Sequence, residues 1–338
     1  MPFILACCLI FGGALPQTSL AKSAPTDVET GPGNTPLAKC VYIASYAPGY
    51  EWQDQVEKSL QQQLKGQCSV DTFYMDTKKI QESEKLAQIG LKAKQFIEKK
   101  DPDIVIISDD NAVKYVLAAH YRNHDLPFVF CGINNTGKLY QLPYSNTSGM
   151  IEIAPTRVLL EQLLHSHPNQ NHVVYLSTQG ATAEQNVQAF HKIAISLNIK
   201  SSAYLAANQE EWRKLYKKLQ EDPQIHIIIL GNFVAFPKWN HQTNLDWILQ
   251  HNHKLSIATQ KWMMPYVALG LTKSADEQGA WAGKTASAVL SGIPIHQIST
   301  VPNQLFQTWI NSAIAKPVEN RIPLRLLNQA IPYIEAVE

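Results

Sequence analysis

The sequence is short of catalytic signatures. It contains no Gly-x-Ser-x-Gly elbow, no His-Glu-x-x-His zinc motif, no phosphate-binding P-loop and no Gly-x-Gly-x-x-Gly fingerprint. No histidine has a partner carboxylate at a telling spacing, and catalysis therefore has little support. Charge is equally uninformative of a polyanion: the formal net charge is +1 over 338 residues, with no long basic run. Nucleic-acid binding has little electrostatic support here. Long apolar runs are missing as well. The longest N-terminal stretch, Phe3 to Leu15, is too short for a permanent membrane span.

That stretch instead resembles an export leader. Ser19-Leu20-Ala21 supplies small residues for cleavage, which makes residues 1–21 a signal peptide and Lys22 the mature start. No Lys or Arg precedes Lys22, so the basic n-region is not visible. Leu5-Ala6-Cys7 has the look of a lipoprotein box, close to Met1, and leaves a lipid anchor open. Residues 22–38 are rich in Pro, Gly, Thr and Ser and read as a flexible spacer.

Cysteine is scarce: two of the five, Cys7 and Cys8, fall in the leader. Cys40 precedes the first expected strand and Cys68 the second. If those strands are parallel neighbours, the two thiols meet at one sheet edge, which predicts a Cys40–Cys68 disulfide over two free thiols in an oxidising compartment. Cys131 sits inside an apolar strand and reads as a small hydrophobe. His165, His167 and His172 fall by a Pro/Asn-rich turn and read as a solvated loop, not a metal site.

From Val41 onward, short β-branched runs alternate with helical patterns. Strands are expected at 41–45, 70–75, 104–107 and 128–131, then in a second unit at 173–176, 202–206, 225–230 and 255–259. Helices of this length between strands imply right-handed crossovers and parallel sheets. The fold class is therefore α/β, with two similarly folded lobes. The C-terminal segments do not simply extend the second unit, so the chain is expected to cross between lobes more than once, leaving each lobe discontinuous and a multi-stranded hinge. The expected division is 39–152 plus 266–300 for lobe 1, and 153–265 plus 301–338 for lobe 2.

Polar and aromatic residues recur where strands end, the edge at which open α/β sheets bind ligands. After the first strand come Ser45, Tyr46, Tyr50 and Trp52; after the third, Asp109, Asp110 and Asn111; after the fourth, Asn134. The second unit offers Thr178 and Gln179, Asn232 and Phe233, and Trp262. Facing edges would make a cleft suited to a small polar or aromatic solute.

These residues resemble a known family, the substrate-binding proteins of ABC importers on the type I periplasmic-binding-protein fold, related to aromatic amino-acid binders. The resemblance rests on Val41-Tyr-Ile-Ala-Ser-Tyr46 with Gly49-Tyr-Glu-Trp52, Phe73-Tyr-Met-Asp-Thr-Lys78, Asp109-Asp-Asn-Ala112 and Leu126-Pro-Phe-Val-Phe-Cys-Gly-Ile-Asn134. Asn146-Thr-Ser-Gly-Met150, Glu277-Gln-Gly279 and Ile322 to Ala330 add to it. It implies two Rossmann-like lobes with parallel sheets joined by a three-segment hinge, a solute clamped at that hinge, no cofactor, a monomer in the periplasm or an equivalent extracytoplasmic space, and an ABC permease as partner. It departs where many members carry small or hydroxyl residues after the third strand. Asp109-Asp110-Asn111 would repel a carboxylate there and suit an ammonium or hydroxyls. A sensory module acting on a membrane receptor or kinase is the alternative use of such a clamp. Whether Glu152 faces the cleft or the hinge is open at this level.

Overall fold

The computed structural model describes residues 36–334, apart from 81, 135, 167–170, 234–235 and 237. The expected leader, most of the spacer and His167 lie outside the described residues.

The first sheet is built from β1 (Ala38–Ala44), β2 (Cys68–Tyr74), β3 (Ile104–Ser108), β4 (Phe128–Asn134) and β5 (Thr147–Glu152). A short β11 (Val301–Pro302) joins it from far along the chain, giving the order β11-β5-β4-β3-β1-β2, all parallel. The second sheet holds β6 (His172–Thr178), β7 (Lys200–Ala206), β8 (Ile227–Leu230), β9 (Leu255–Ala258), β10 (Leu269–Lys273), β12 (Phe306–Ile310) and β13 (Ile331–Pro332). Its order is β13-β12-β10-β9-β8-β6-β7, with β12 antiparallel to β10.

The central strands follow the apolar runs. Ile104 to Ile107 are completely buried, as a parallel strand covered on both faces must be. Helices α1 (Glu51–Leu64) and α2 (Ser83–Lys100) cover the two faces of the first sheet, α1 through Val56, Leu60 and Leu64 and α2 through Leu86, Ala93 and Ile97. Between β3 and β4 run α3 (Asp109–Ala112), a π-helical turn (Val113–Leu117) and α4 (Ala118–His120). The second sheet carries α5 (Thr156–Ser166), α6 (Ala181–Ser196), α7 (Gln209–Glu221) and α8 (His241–His251). Trp212 and Tyr216 of α7 stack at 5.0 Å in its core. Helix α9 (Ala275–Leu290) returns to the first lobe and packs on α1. The approach is close because Gly279 has no side chain: a Cβ there would collide with the Val56 carbonyl. The short α10 (Ser312–Ala315) and α11 (Leu324–Gln329) close the second lobe.

The division between lobes differs from the sequence reading. Residues 269–273 were expected in the first lobe, yet β10 pairs with β9 and β12 in the second sheet. The chain leaves that sheet only after Lys273. Conversely, 301–302 pairs with β5 in the first sheet. Three segments thus cross between sheets: 153–155, 274 and 303–305. They are tied together. Asn303 N–H donates to the Ile151 carbonyl (3.1 Å), and Ile153 N–H donates to Asn303 Oδ1 (2.6 Å). The Glu277 carboxylate on α9 accepts from Gln304 and Leu305 N–H at 2.8 and 2.9 Å.

Local readings change as well. Residues 147–152 have no apolar run, but they form β5, because Gly149 leaves room for the Phe130 ring of the neighbouring strand. His165 belongs to α5, and His172 opens β6 and is buried, so these two are not loop residues. Cys40 and Cys68 form a disulfide, with Cα atoms 6.0 Å apart; Cys40 lies within β1 and not before it.

Candidate ligand-binding cleft

The first sheet presents the carboxyl ends of β1, β3, β4 and β5 to a cavity of about 910 Å³. Tyr46, Tyr50, Trp52, Lys78, Asp109, Asn134 and Glu152 line it from this side. The second sheet answers with the segment after β9 (Thr259, Gln260, Lys261, Trp262), the end of β10 (Thr272, Lys273), and Phe306, Gln307 and Trp309 of β12. Tyr333 and residues 274–276 add to the lining.

The floor is acidic and buried. Asp109 begins α3 directly after β3 in a left-handed backbone conformation, φ +67°. Such a conformation is uncommon outside glycine, although Asp and Asn adopt it more readily than most residues. Across from it, β4 bulges at Gly132, also at positive φ, whose absent side chain leaves space for Asp109: a Cβ would lie 3.2 Å from Asp109 Cγ. The Gly132 N–H donates to Gln278 Oε1 of α9 (2.9 Å), which fixes the bulge. Asp109 is buried, and its Oδ2 has no hydrogen-bond partner among the described residues. Burial, then the neighbouring Glu152 and Asp110, hold its carboxyl well above the usual carboxylate range; Lys273 and Lys78 pull the other way.

Glu152 ends β5 and pairs with Lys273 at the end of β10, leaving Oε1 without a partner among the described residues. It therefore faces the cleft and the hinge together. Burial raises its carboxyl, and Lys273 offsets part of that rise. Above the floor, Tyr46 and Tyr50 meet edge to face at 5.2 Å, and the Lys78 ammonium lies 3.8 Å from the Tyr50 ring centroid. Lys273 lies 5.5 Å from the Trp52 ring. At the mouth, Lys261 of the second lobe pairs with Glu51 of α1.

Of the residues expected from sequence, Tyr46, Tyr50, Trp52, Asp109, Asn134 and Trp262 line the cavity. The others serve the framework. Ser45 Oγ donates to the Ser108 carbonyl (2.7 Å) and accepts from Ala112 N–H (2.9 Å). Asn111 donates to Thr77 Oγ1 (2.9 Å). Both oxygens of Asp110 are taken, by Asn134 Nδ2 (2.6 Å) and the Tyr140 hydroxyl (2.9 Å), so the free acid is Asp109.

In the second lobe, Thr178, Gln179, Asn232 and Phe233 do not reach the cavity. Their strands, β6 and β8, lie toward the far edge of a sheet whose cleft side is β10, β12 and β13. Thr178 N–H donates to the Asn232 carbonyl, Gln179 donates to Leu205, and Phe233 is fully buried against Trp212 and Trp239. Lys78 and Lys273 were missed although both follow the strand-end rule, at β2 and β10. Phe306 and Trp309 were invisible to it, because β12 is antiparallel. Among the described residues no group of three or more His, Cys, Asp or Glu could hold a metal, and no helix is long and apolar enough to cross a membrane.

A family described as "ABC transporter substrate binding protein" matches residues 53–334. The chain belongs to that family. Solved structures share its fold at low identity. An open, ligand-free substrate-binding protein with adhesive properties from Clostridium difficile is 13% identical, with TM-score 0.71 over 88% of this chain and 99% of that one. An ABC domain from Streptococcus pneumonia in complex with L-Trp is 17% identical, with TM-score 0.57 over 88% and 100%. A periplasmic ribose ABC transporter protein from Conexibacter woesei is 12% identical, with TM-score 0.54 over 86% and 99%. These are type I periplasmic-binding-protein folds, and so is this one. A search of curated proteins finds no match.

Proposed function

We propose that this substrate-binding protein works outside the cytoplasm as the solute receptor of an ABC importer. It closes its lobes on a small polar or aromatic metabolite, an amino acid or amine, and presents it to a membrane permease. The observation that carries this is the cleft itself: aromatic walls from both lobes around a buried, unpartnered Asp109 oxygen. A ring of the solute would pack on the aromatic walls, and an ammonium group would meet Asp109. The L-Trp held by the streptococcal neighbour makes aromatic amino acids the first solutes to try. Three crossover segments joined by hydrogen bonds suit hinge closure around such a ligand. No catalytic step is assigned.

A thermal-shift screen of the chain against amino acids, amines, nucleosides and sugars tests the proposal. A solute that binds only the folded state raises Tm with concentration. A screen flat across all four classes at millimolar concentration would count against a small-solute receptor.

A further inference from the structure

The floor of the cleft contains an imbalance that the solute-receptor reading does not itself explain. Two buried acids, Asp109 and Glu152, share one close cation, Lys273, and that cation is already paired with Glu152. Lys78, the other lysine that acts on Asp109, lies over the Tyr50 and Tyr46 rings. Asp110, beside Asp109 on the same helix, is compensated by Asn134 and Tyr140. Asp109 Oδ2 has no such partner and is 95% buried by residue, at 5% exposure. A buried carboxylate without a counter-charge or donor is costly, and the group takes up a proton instead.

We infer that the head of the solute is a cation that replaces a proton on Asp109, so that binding releases that proton to solvent. This rests on the reading of the cleft as the solute site and names the chemistry of its floor. The titratable groups facing Asp109 are Tyr42 on β1, Tyr46 beyond it, Lys78 beyond β2, Asp110 on its own helix, Cys131 on β4, Glu152 on β5 and Lys273 on β10. Tyr46 and Cys131 are both held neutral, their ionisation pushed upward by burial and by Asp109 itself. Neither lysine can move onto Asp109 without abandoning a contact it already makes. An arriving ammonium supplies the missing charge, ionises Asp109 and accounts for its empty oxygen. A carboxylate head would have to draw Lys78 off the Tyr50 ring or Lys273 off Glu152, beside two buried acids that repel it.

Proton release makes affinity depend on pH. Below the pH at which Asp109 ionises in the empty cleft, affinity for a cation should rise about tenfold per pH unit, and it should level off above that pH. The test is calorimetric titration of the full chain with 2-phenylethylamine, L-phenylalanine and 3-phenylpropanoate at neutral pH. Each is run in two buffers of different ionisation enthalpy. The two ammonium probes should bind with close to one proton released, the propanoate should not bind, and Asp109→Asn should abolish the release. The inference is overturned by equal enthalpies in both buffers or by release that survives in Asp109→Asn. Propanoate binding as tight as the amine, or no binding of either ammonium probe at millimolar concentration, overturns it as well.

A ligand-free measurement guards against the choice of probe. A carboxyl held high in the folded state adds stability that is complete below its unfolded value, about 4, and is lost as pH rises. Wild type should therefore lose stability relative to Asp109→Asn between pH 4 and neutrality, and parallel curves overturn the inference. Another solute that raises Tm without proton release would refute the exchange and leave the receptor reading standing.

Discussion

Glu152 at the end of β5 and Lys273 at the end of β10 form an ion pair that joins the two sheets across the floor of the cleft. The glutamate is almost completely buried, and the lysine side chain keeps 18% of its exposure. Both residues stand beside crossover segments, so the pair lies on the hinge.

Removing the lysine strands a buried carboxylate. Lys273→Met should destabilise the fold by about 3–5 kcal/mol at neutral pH. Burial already raises the Glu152 carboxyl, and losing Lys273 raises it further. A protonated Glu152 needs no counter-ion, so the loss should shrink as pH falls through its folded value. Denaturant melts of the variant and wild type at neutral and mildly acidic pH measure this. An equal loss at both would show that Lys273 acts through packing alone.

The disulfide joins residues 28 apart, from one parallel strand to its neighbour. By the loop-entropy argument, the Cys40→Ser/Cys68→Ser double variant should lose about 3–4 kcal/mol. Reductant added to wild type should shift the urea midpoint in the same direction and leave the double variant unmoved.

Helix α9 reaches the first lobe through a close approach to α1. Gly279→Val would drive a side chain into the Val56 carbonyl, backbone that cannot turn aside. The expected cost is about 3 kcal/mol, near the upper end for overpacking. Because α9 also carries Glu277 and Gln278, the variant should weaken solute binding beyond its effect on Tm. Titration well below the transition temperature separates the two effects.

The walls of the cleft can be told from the core of the second lobe. Phe306→Ala removes a half-buried lining ring and should weaken an aromatic solute about five- to tenfold, with a smaller loss of stability than a core site because the ring only partly packs on the core. Phe233→Ala should instead lower stability by about 3–5 kcal/mol, since it empties a core site. Gln179→Ala should alter neither quantity. Weakened binding in Gln179→Ala would bring the β6 edge back into the site.

The sequence was most legible where one physical signal acted alone. Ile104 to Ile107, buried on both faces, are apolar throughout and read directly as a central strand. Asp109 was legible as a candidate because charge at a strand's carboxyl end is unusual. Choosing it over Asp110 required the positions of Asn134 and Tyr140, which lie 24 and 30 residues away from Asp110. β5 escaped notice because its polar residues are buried by pairing, and Gly149 makes sense only beside Phe130.

The sequence by itself determined the alternation of strands and helices, the parallel sheets and the acidic turn after β3. Local periodicity and backbone preference are properties of adjacent residues, and they survive without tertiary context. Tertiary structure decided which edge of the second sheet faces the first. That choice brought Lys273, Phe306 and Trp309 to the cleft and turned Thr178, Gln179, Asn232 and Phe233 away. It depends on the order in which strands pair, and strand order is set by contacts between residues far apart in the chain. β11 is the clearest case: two residues at 301–302 complete a sheet whose other strands end at Glu152.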